Sequence, residues 1–303
     1  MNIPWKKILR LSSLLALTIM VFLFLGFRFF GQTKTTKQIP HEKEREVKVN
    51  LDAGFGTIFL SKGSTGNILD AEVEREEVND INECVTYNVK DKIGYLDINT
   101  GCDEEKRYRH KGKKYSVNFS HSDSRTWRIQ LTDAIPISFD LQLGLGKADI
   151  DFTDLVIKDL NLSTGASKVN VRFDHPNKNV IEDLNIEAGL SKFRADGLCN
   201  ANFKHLKFQG GVGSYILDFS GSLDKEVDVD IEVGVGSLKI VLPENVGAKI
   251  FYEKNWFSHF SLERAEFSER EDDIYYSNNY KSAAGKMNIK IESGLGNVSI
   301  TRN

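Results

Sequence analysis

LQLGLGKADI (residues 141–150) opens like a phosphate-binding glycine loop, with Gly144 and Gly146 following an apolar stretch. The same phrase returns as VNLDAGFGTI (49–58), NLSTGASKVN (161–170), NIEAGLSKF (185–193), FQGGVGSYIL (208–217), EVGVGSLKI (232–240) and IESGLGNVSI (291–300). A dinucleotide fingerprint needs a third glycine and a helix after it. Every copy lacks that glycine, and a strand-like pattern follows each. The nucleotide reading fails on context.

The copies align on their first glycine: Gly54, Gly144, Gly165, Gly189, Gly211, Gly234 and Gly294. The gaps from Gly144 to Gly234 are 21, 24, 22 and 23 residues, a spacing that marks stacked repeats. Apolar or small residues alternate before the corner, as in Leu141, Leu143, Leu145 and Val229, Ile231, Val233, Val235. They alternate again after it, as in Ala148, Ile150, Phe152 and Leu238, Ile240, Leu242. Period 2 means strand with one buried face. The step from 145 to 148 is odd, so parity breaks at the corner, as at a bulge or bend. Glycine suits such a corner because it tolerates positive φ and close backbone approach. Serine replaces the second corner glycine at Ser167 and Ser191, so small size counts there too.

The pattern predicts an all-β fold, a β-solenoid that stacks coils of ~22 residues like a single-stranded β-helix. The expected internal ladder is Leu145, Ala166, Leu190, Val212 and Val235, at ~4.8 Å per rung. Gln142, Asp149, Asp151, Asn170, Arg172, Glu187, Lys192, Asp228, Asp230 and Lys239 are expected outside. An antiparallel sandwich with similar corners is the competing architecture, since periodicity does not fix strand direction.

The N-terminus is basic (MNIPWKKILR) and continues into an uncharged apolar run, Leu11–Phe27. Seventeen helical residues span ~25 Å, and Phe29 and Phe30 lengthen the run if Arg28 snorkels. An uncleaved transmembrane helix over 11–30 is expected. A cleaved signal peptide fits less well, because no A-x-A site follows. No cysteine lies nearby to carry a lipoprotein anchor. The divisions expected are a cytoplasmic head (1–10), the span (11–30), a polar stalk (31–46), an N-terminal β region (47–139) and repeats with a C-terminal cap (140–303). Positive charges flank the span almost equally, and the short head favours an inside N-terminus. The domain is therefore expected at the cell membrane, single-pass, facing the periplasm or exterior. PENVGAKIFYEKNWFSHFSL (243–262) reads as a degenerate coil, with Trp256 falling 22 residues after Gly234.

The phrases WRIQLTDAIPISFDLQLGLGKADIDFTDLVIKDLNLSTGASKVNVRF, GGVGSYILDFSG and DIYYSNNYKSAAGKMNIKIESGLGNVSI, in that order, resemble the bacterial toast-rack domains. That family is related to the C-terminal domain of the LiaF cell-wall-antibiotic-response proteins and to adhesin-like repeat proteins. The resemblance covers roughly residues 45–303. It implies a non-catalytic, membrane-associated β-helical domain, in some members tied to envelope stress, with no catalytic motif to carry over. Unlike LiaF proteins this chain has one N-terminal span, which weakens the case for direct signalling.

The remaining residues offer little chemistry. His41, His110, His121, His175, His205 and His259 lack metal-ligand spacing, and no nucleophile elbow or Walker loop occurs. No catalytic residue, metal or cofactor is expected. Net charge is −3, so nothing points to nucleic acid. The run Asp103–Tyr115 (DEEKRYRHKGKKY) reads as a solvated hairpin tip rather than a polymer or headgroup contact. Asp149 and Asp151 read as outward strand carboxylates rather than β-roll calcium ligands. The expected partners are the membrane and a protein or cell-wall polymer. An envelope-polysaccharide enzyme on the same fold is the alternative.

ECVTYNVKDKIGYLDINTGC (83–102) reads as a hairpin with a three-residue loop, Lys92–Gly94. Cys84 and Cys102 then lie equally far from its centre and face each other, close enough for a disulfide. An extracytoplasmic site would keep the bond. Two reduced cysteines in an ordinary hairpin are the alternative. Cys199 is left as a small buried residue.

Overall fold

The structure is a computed structural model that describes residues 33–75, 81–102, 125–253 and 256–303. The chain begins with β1 (Thr33–Pro40), β2 (Glu46–Lys62), β3 (Asn67–Arg75), β4 (Val85–Lys90), β5 (Ile93–Asn99) and β6 (Thr126–Leu131). Five long strands follow: β7 (Ile137–Asp151), β8 (Ile157–Arg172), β9 (Ile181–Asp196), β10 (Phe203–Asp218) and β11 (Glu226–Leu242). Last come β12 (Gly247–Glu253), β13 (Ser258–Leu262), β14 (Phe267–Glu271), β15 (Ile274–Ser277) and β16 (Lys286–Arg302).

Seven long strands pair parallel in the order β2-β7-β8-β9-β10-β11-β16. Antiparallel pairing is confined to the ends, so the sandwich is excluded. Each long strand carries one glycine corner, and equal corner positions stack rung on rung. Before the corner, Leu51, Leu141, Leu162, Ile186, Phe208, Ile231 and Ile291 form one buried row. After it, Ile58, Ala148, Val169, Phe193, Tyr215, Leu238 and Val298 form another. The first row is almost wholly Leu and Ile, the second mixes aliphatic and aromatic residues, and the burial of both is the main stabilising term.

The corner differs from the expected one by a single step. Among the large side chains the inward set runs Leu143 then Ala148, or Val233 then Leu238, a stride of five rather than three. The first glycine and the residue after it both face outward. Leu145, Leu190, Val212 and Val235 do form a ladder with Phe55 and Leu295, but it lies outside, 40% to 63% exposed. Ala166 takes the same place on β8 and is half-buried. The expected internal ladder is thus corrected to an external one. The side chain two places after the glycine turns inward instead, and only glycine or serine stands there.

Close packing explains those small residues. A Cβ on Gly144 would sit 2.4 Å from the Gly54 carbonyl oxygen, and one on Gly294 would sit 2.4 Å from that of Gly234. The second glycine is tighter. A Cβ on Gly236 would meet the Gly213 oxygen at 1.9 Å, and Gly236 has φ +137, a region L side chains avoid. Ser167 and Ser191 adopt no positive φ, and the β8–β9 register is interrupted between Thr164↔Ala188 and Lys168↔Lys192. Serine is accommodated by opening the ladder.

Between rungs the chain turns on Asn177, Asn200 and Asn202. The Asn177 amide donates to the Ile157 carbonyl at 2.8 Å, and its oxygen accepts from the Ile157 N–H at 2.9 Å. The Asn200 amide donates to the Phe173 carbonyl at 2.9 Å. Buried main-chain groups outside the ladders are thereby paired.

Broken rungs close both ends. β5 pairs with the first half of β2 and β6 with its second half. β12 and β13 do the same for β16. The degenerate coil therefore lies outside the last repeat, and β16 is inserted between it and β11. Antiparallel strands β3 and β1 then cover β6, β4 covers β5, and β15 with β14 covers β12. The region expected to be a stalk is partly strand: β1 lies along β3, Ile39 is buried, and Lys34 pairs with Glu72 at 3.0 Å. Ahead of position 140, β2 already pairs along the length of β7 as a rung. Among the described residues no helix is long and apolar enough to cross a membrane. The expected span at 11–30 and the charged run at 103–115 lie outside the described residues.

Ile231→Asp should cost roughly 3 kcal/mol or more, since it puts a charge in a dry row. Val212→Asp, on the exposed corner, should cost within about 1 kcal/mol. Thermal melts of the two variants check this; equal losses would return Val212 to the interior.

Candidate functional site: a glycine-floored groove

All seven first-position glycines line one groove of about 1180 Å³ that runs across the rungs. Two residues before each glycine, strand parity turns a side chain outward. In register these are Asp52, Gln142, Ser163, Glu187, Gln209, Glu232 and Glu292, continued by Glu253 on β12. They form one wall of the groove. Because each glycine contributes no side chain, main chain forms the floor.

The wall is acidic. Five carboxylates line the groove, and no Lys, Arg or His does among the described residues. Gln209 Nε2 donates to Glu232 at 2.8 Å, and Lys290 pairs with Glu292. Asp52, Glu187 and Glu253 make no ion pair among the described residues. Thr164 reaches the groove only through its main chain: its side chain is buried in the inward row between Leu143 and Ala188.

The external ladder Phe55, Leu145, Leu190, Val212, Val235 and Leu295 follows the glycines as an apolar ridge. Beyond it, Lys147, Lys168 and Lys192 stack in register and are exposed. The ridge therefore separates flanks of opposite sign. Farther along the basic flank, Arg172 pairs with Asp151 across the rungs. Burial pushes the Asp151 carboxyl up, but bonds from Arg172 and Thr153 outweigh this and hold it below the usual range. On β13, Ser258 lies opposite Gly296, so continuing the register puts Trp256 level with Gly294. Trp256 is 98% exposed and Phe257 is also exposed.

The groove was missed in the sequence because the glycines read only as a bend. Its wall was available: Gln142 and Glu187 were already expected outside. Lining up every residue two places before a corner glycine would have drawn the acidic row.

Of the histidines, His41, His175, His205 and His259 are described and lie on separate elements, while His110 and His121 lie outside the described residues. His175 pairs with Asp154 at 2.9 Å, and His205 faces Asp228 at 3.5 Å. No group of three or more His, Cys, Asp or Glu could hold a metal among the described residues.

The structure joins Cys84 and Cys102, with Cα atoms 5.2 Å apart. Their geometry differs from the symmetric hairpin expected. The turn is Asp91–Lys92, both at positive φ, as in a two-residue type I′ turn. Val85 pairs with Ile98, which puts Cys84 opposite Asn99, whose N–H donates to the Cys84 carbonyl at 2.8 Å. Cys102 lies past the strand and reaches back through the turn after Asn99. Cys199 is free and buried, and burial pushes its thiol up to about 12.

A parallel stack of bent strands, with its polar groups in surface rows rather than in a closed pocket, defines an all-β repeat protein. The chain belongs to the toast-rack family: residues 30–194 and 176–241 match the N-terminal domain of toast_rack, a domain of unknown function (DUF2154). Among solved structures it is similar to a provisionally named cell adhesion protein from Clostridium sporogenes. That match has 24% identity and a TM-score of 0.43, and covers 90% of this chain and 100% of that one. It is also similar to a provisionally named adhesin from Bacteroides fragilis, with 16% identity and a TM-score of 0.34, covering 89% and 97% of the two chains. No curated protein matches the chain significantly.

Thiol labelling tests the cysteines. The native chain should give no reactive thiol, the unfolded non-reduced chain one, and the unfolded reduced chain three. Three before reduction would rule out the bridge.

Proposed function

We propose that this chain is a membrane-anchored, extracytoplasmic β-solenoid that serves the bacterial envelope as a non-catalytic interaction module, in adhesion or in envelope-stress response. One observation carries the reading. At six of seven rungs the chain places a large apolar side chain on the solvent side of a corner, beside an open groove. Exposed apolar patches of a few hundred Å² on soluble domains mark interaction surfaces. Family membership supports a module of this kind, and the uncharged run Leu11–Phe27 supports a single-pass anchor.

The arrangement of charge favours binding over catalysis. Glycoside hydrolysis uses two carboxyl groups that flank the scissile bond. Here every groove carboxylate stands on one wall, and an apolar ridge stands opposite. The enzyme reading has no opposed acid and base to start from.

Protease added to intact spheroplasts should remove residues from about 45 onward and leave a short membrane-bound stub. Complete protection of the domain, with lysed cells as the positive control, would overturn the extracytoplasmic assignment.

A further inference from the structure

We propose that the glycine-floored groove binds a linear glycan carrying protonated amino groups, laid across the rungs from β2 to β16. The proposal rests on the reading of the chain as an extracytoplasmic binding module and names the ligand of that surface.

Shape comes first. Seven rungs at ~4.8 Å make a trough roughly 30 Å long, and its volume of about 1180 Å³ is open along its length. A compact metabolite would fill a fraction of it. A linear chain fills it all. The floor is bare main chain at Gly144, Gly165, Gly189 and Gly211, so a flat ring can approach without meeting a side chain.

Charge comes second. The wall offers an oxygen acceptor on every rung, and five carboxylates stand there with no base lining the groove. Glu232, Glu292 and Glu253 follow one another in direct register. Like charges set directly opposite are destabilising in a sheet, and only Lys290 and Gln209 relieve this row. A bound ammonium group on alternate rungs would turn the repulsion into charge-assisted hydrogen bonds.

The third element is the opposite rim. Leu145, Leu190, Val212, Val235 and Leu295 present aliphatic surface to the C–H faces of sugar rings. Trp256, level with the glycine row and 98% exposed, gives a platform at one end for a ring face or an ammonium. Lys147, Lys168 and Lys192 across the ridge repel amines and keep the ligand on the acidic side.

A basic peptide has the right charge but the wrong support. Extended peptides gain affinity from main-chain bonds to a free sheet edge. This groove lies on a sheet face and not at an edge: the strands that form it pair with neighbouring rungs before and after each glycine corner. A glycan needs only side-chain acceptors and flat surface, and both are present.

The test is titration of the full-length chain in detergent micelles, read by calorimetry and by tryptophan fluorescence. The probes are a β-1,4-linked glucosamine hexamer, its fully N-acetylated counterpart, a glucosamine dimer and hexalysine. The glucosamine hexamer should bind, and more weakly at high salt. The dimer and the acetylated hexamer should each bind at least roughly tenfold more weakly. The double variant E187Q/E232Q, both exposed positions, should weaken the hexamer roughly tenfold with an unchanged melt. Trp256→Ala should weaken it and remove the fluorescence response. K168Q/K192Q should leave it unchanged or tighten it.

Absence of hexamer binding, equal affinity for the acetylated hexamer, or hexalysine binding as tightly as the glucosamine hexamer would each overturn the proposal. So would weakened binding in K168Q/K192Q. Failure of these titrations with a protease-sensitive domain sinks the ligand alone. A protease-protected domain sinks the underlying reading, whatever the titrations give.

Discussion

The architecture depends on one contact: the carbonyl oxygen of a corner glycine set against the Cα of the next rung's corner glycine. At Gly144 over Gly54 and at Gly294 over Gly234 a Cβ would lie only 2.4 Å from that oxygen, so side chains are excluded from both. Once two rungs meet this way, their register is fixed on both sides of the bend. A slip of one residue would bring a Cβ into the contact and turn every buried side chain to the solvent. The corner is therefore what makes rows out of repeats. Leu51 through Ile291 become a dry column, and Asp52 through Glu292 an acidic one, because the same glycines align both.

Much of this was legible in the residues. Spacing of the glycines gave the rungs, and alternation gave the strands and their buried face away from the corner. Leu141, Leu143, Ala148 and Ile150 face inward as period 2 requires. The corner itself was not legible to the last residue. An odd stride announces a parity break but does not say which residue absorbs it, since strides of three and five are both odd. Placing the break one residue late put Val212 and its neighbours inside. The decisive quantity is the space between successive backbones two places past the glycine. Sequence shows it only indirectly, as the restriction to glycine and serine at Gly146, Ser167, Ser191, Gly213 and Gly236. Bulky residues at 145, 190 and 235 are tolerated because they point away from that crowding. The hairpin near Cys84 failed for a related reason: Asp91 and Lys92 take positive φ that neither residue advertises, which shortens the loop and moves every cross-strand pair.

The ends follow from a second constraint. A parallel stack exposes unpaired N–H and C=O groups at each end, an open template for further chains. Both ends here use a rung broken at the corner, β5 with β6 and β12 with β13, covered in turn by antiparallel strands. Breaking the rung releases the glycine requirement. That is why Trp256 can occupy a place where a Cβ would collide with the preceding rung at Gly144, Gly165, Gly211, Gly234 and Gly294. It also explains why the last repeat in sequence is not the last in space, since β16 is tucked between β11 and the degenerate coil. The long intervals from Gly54 to Gly144 and from Gly234 to Gly294 are filled by this capping material.

What remains is the reason for a solvent-exposed apolar ridge. Core packing does not require it, because side chains at 145, 190, 212, 235 and 295 point away from the buried rows. Alanine at 166 occupies the same corner, so the bend does not require bulk either. Charge is separated along the same line: carboxylates with amides on one side, Lys147, Lys168 and Lys192 on the other. A stack that merely needed solubility would mix signs on both flanks, since like charges in register cost stability. Stability alone thus accounts for the glycines and for the buried rows, but not for the ridge or for the segregation of charge beside it. The proposed ligand would account for both at once, apolar on the side that meets the ridge and positive on the side that meets Glu187 and Glu232.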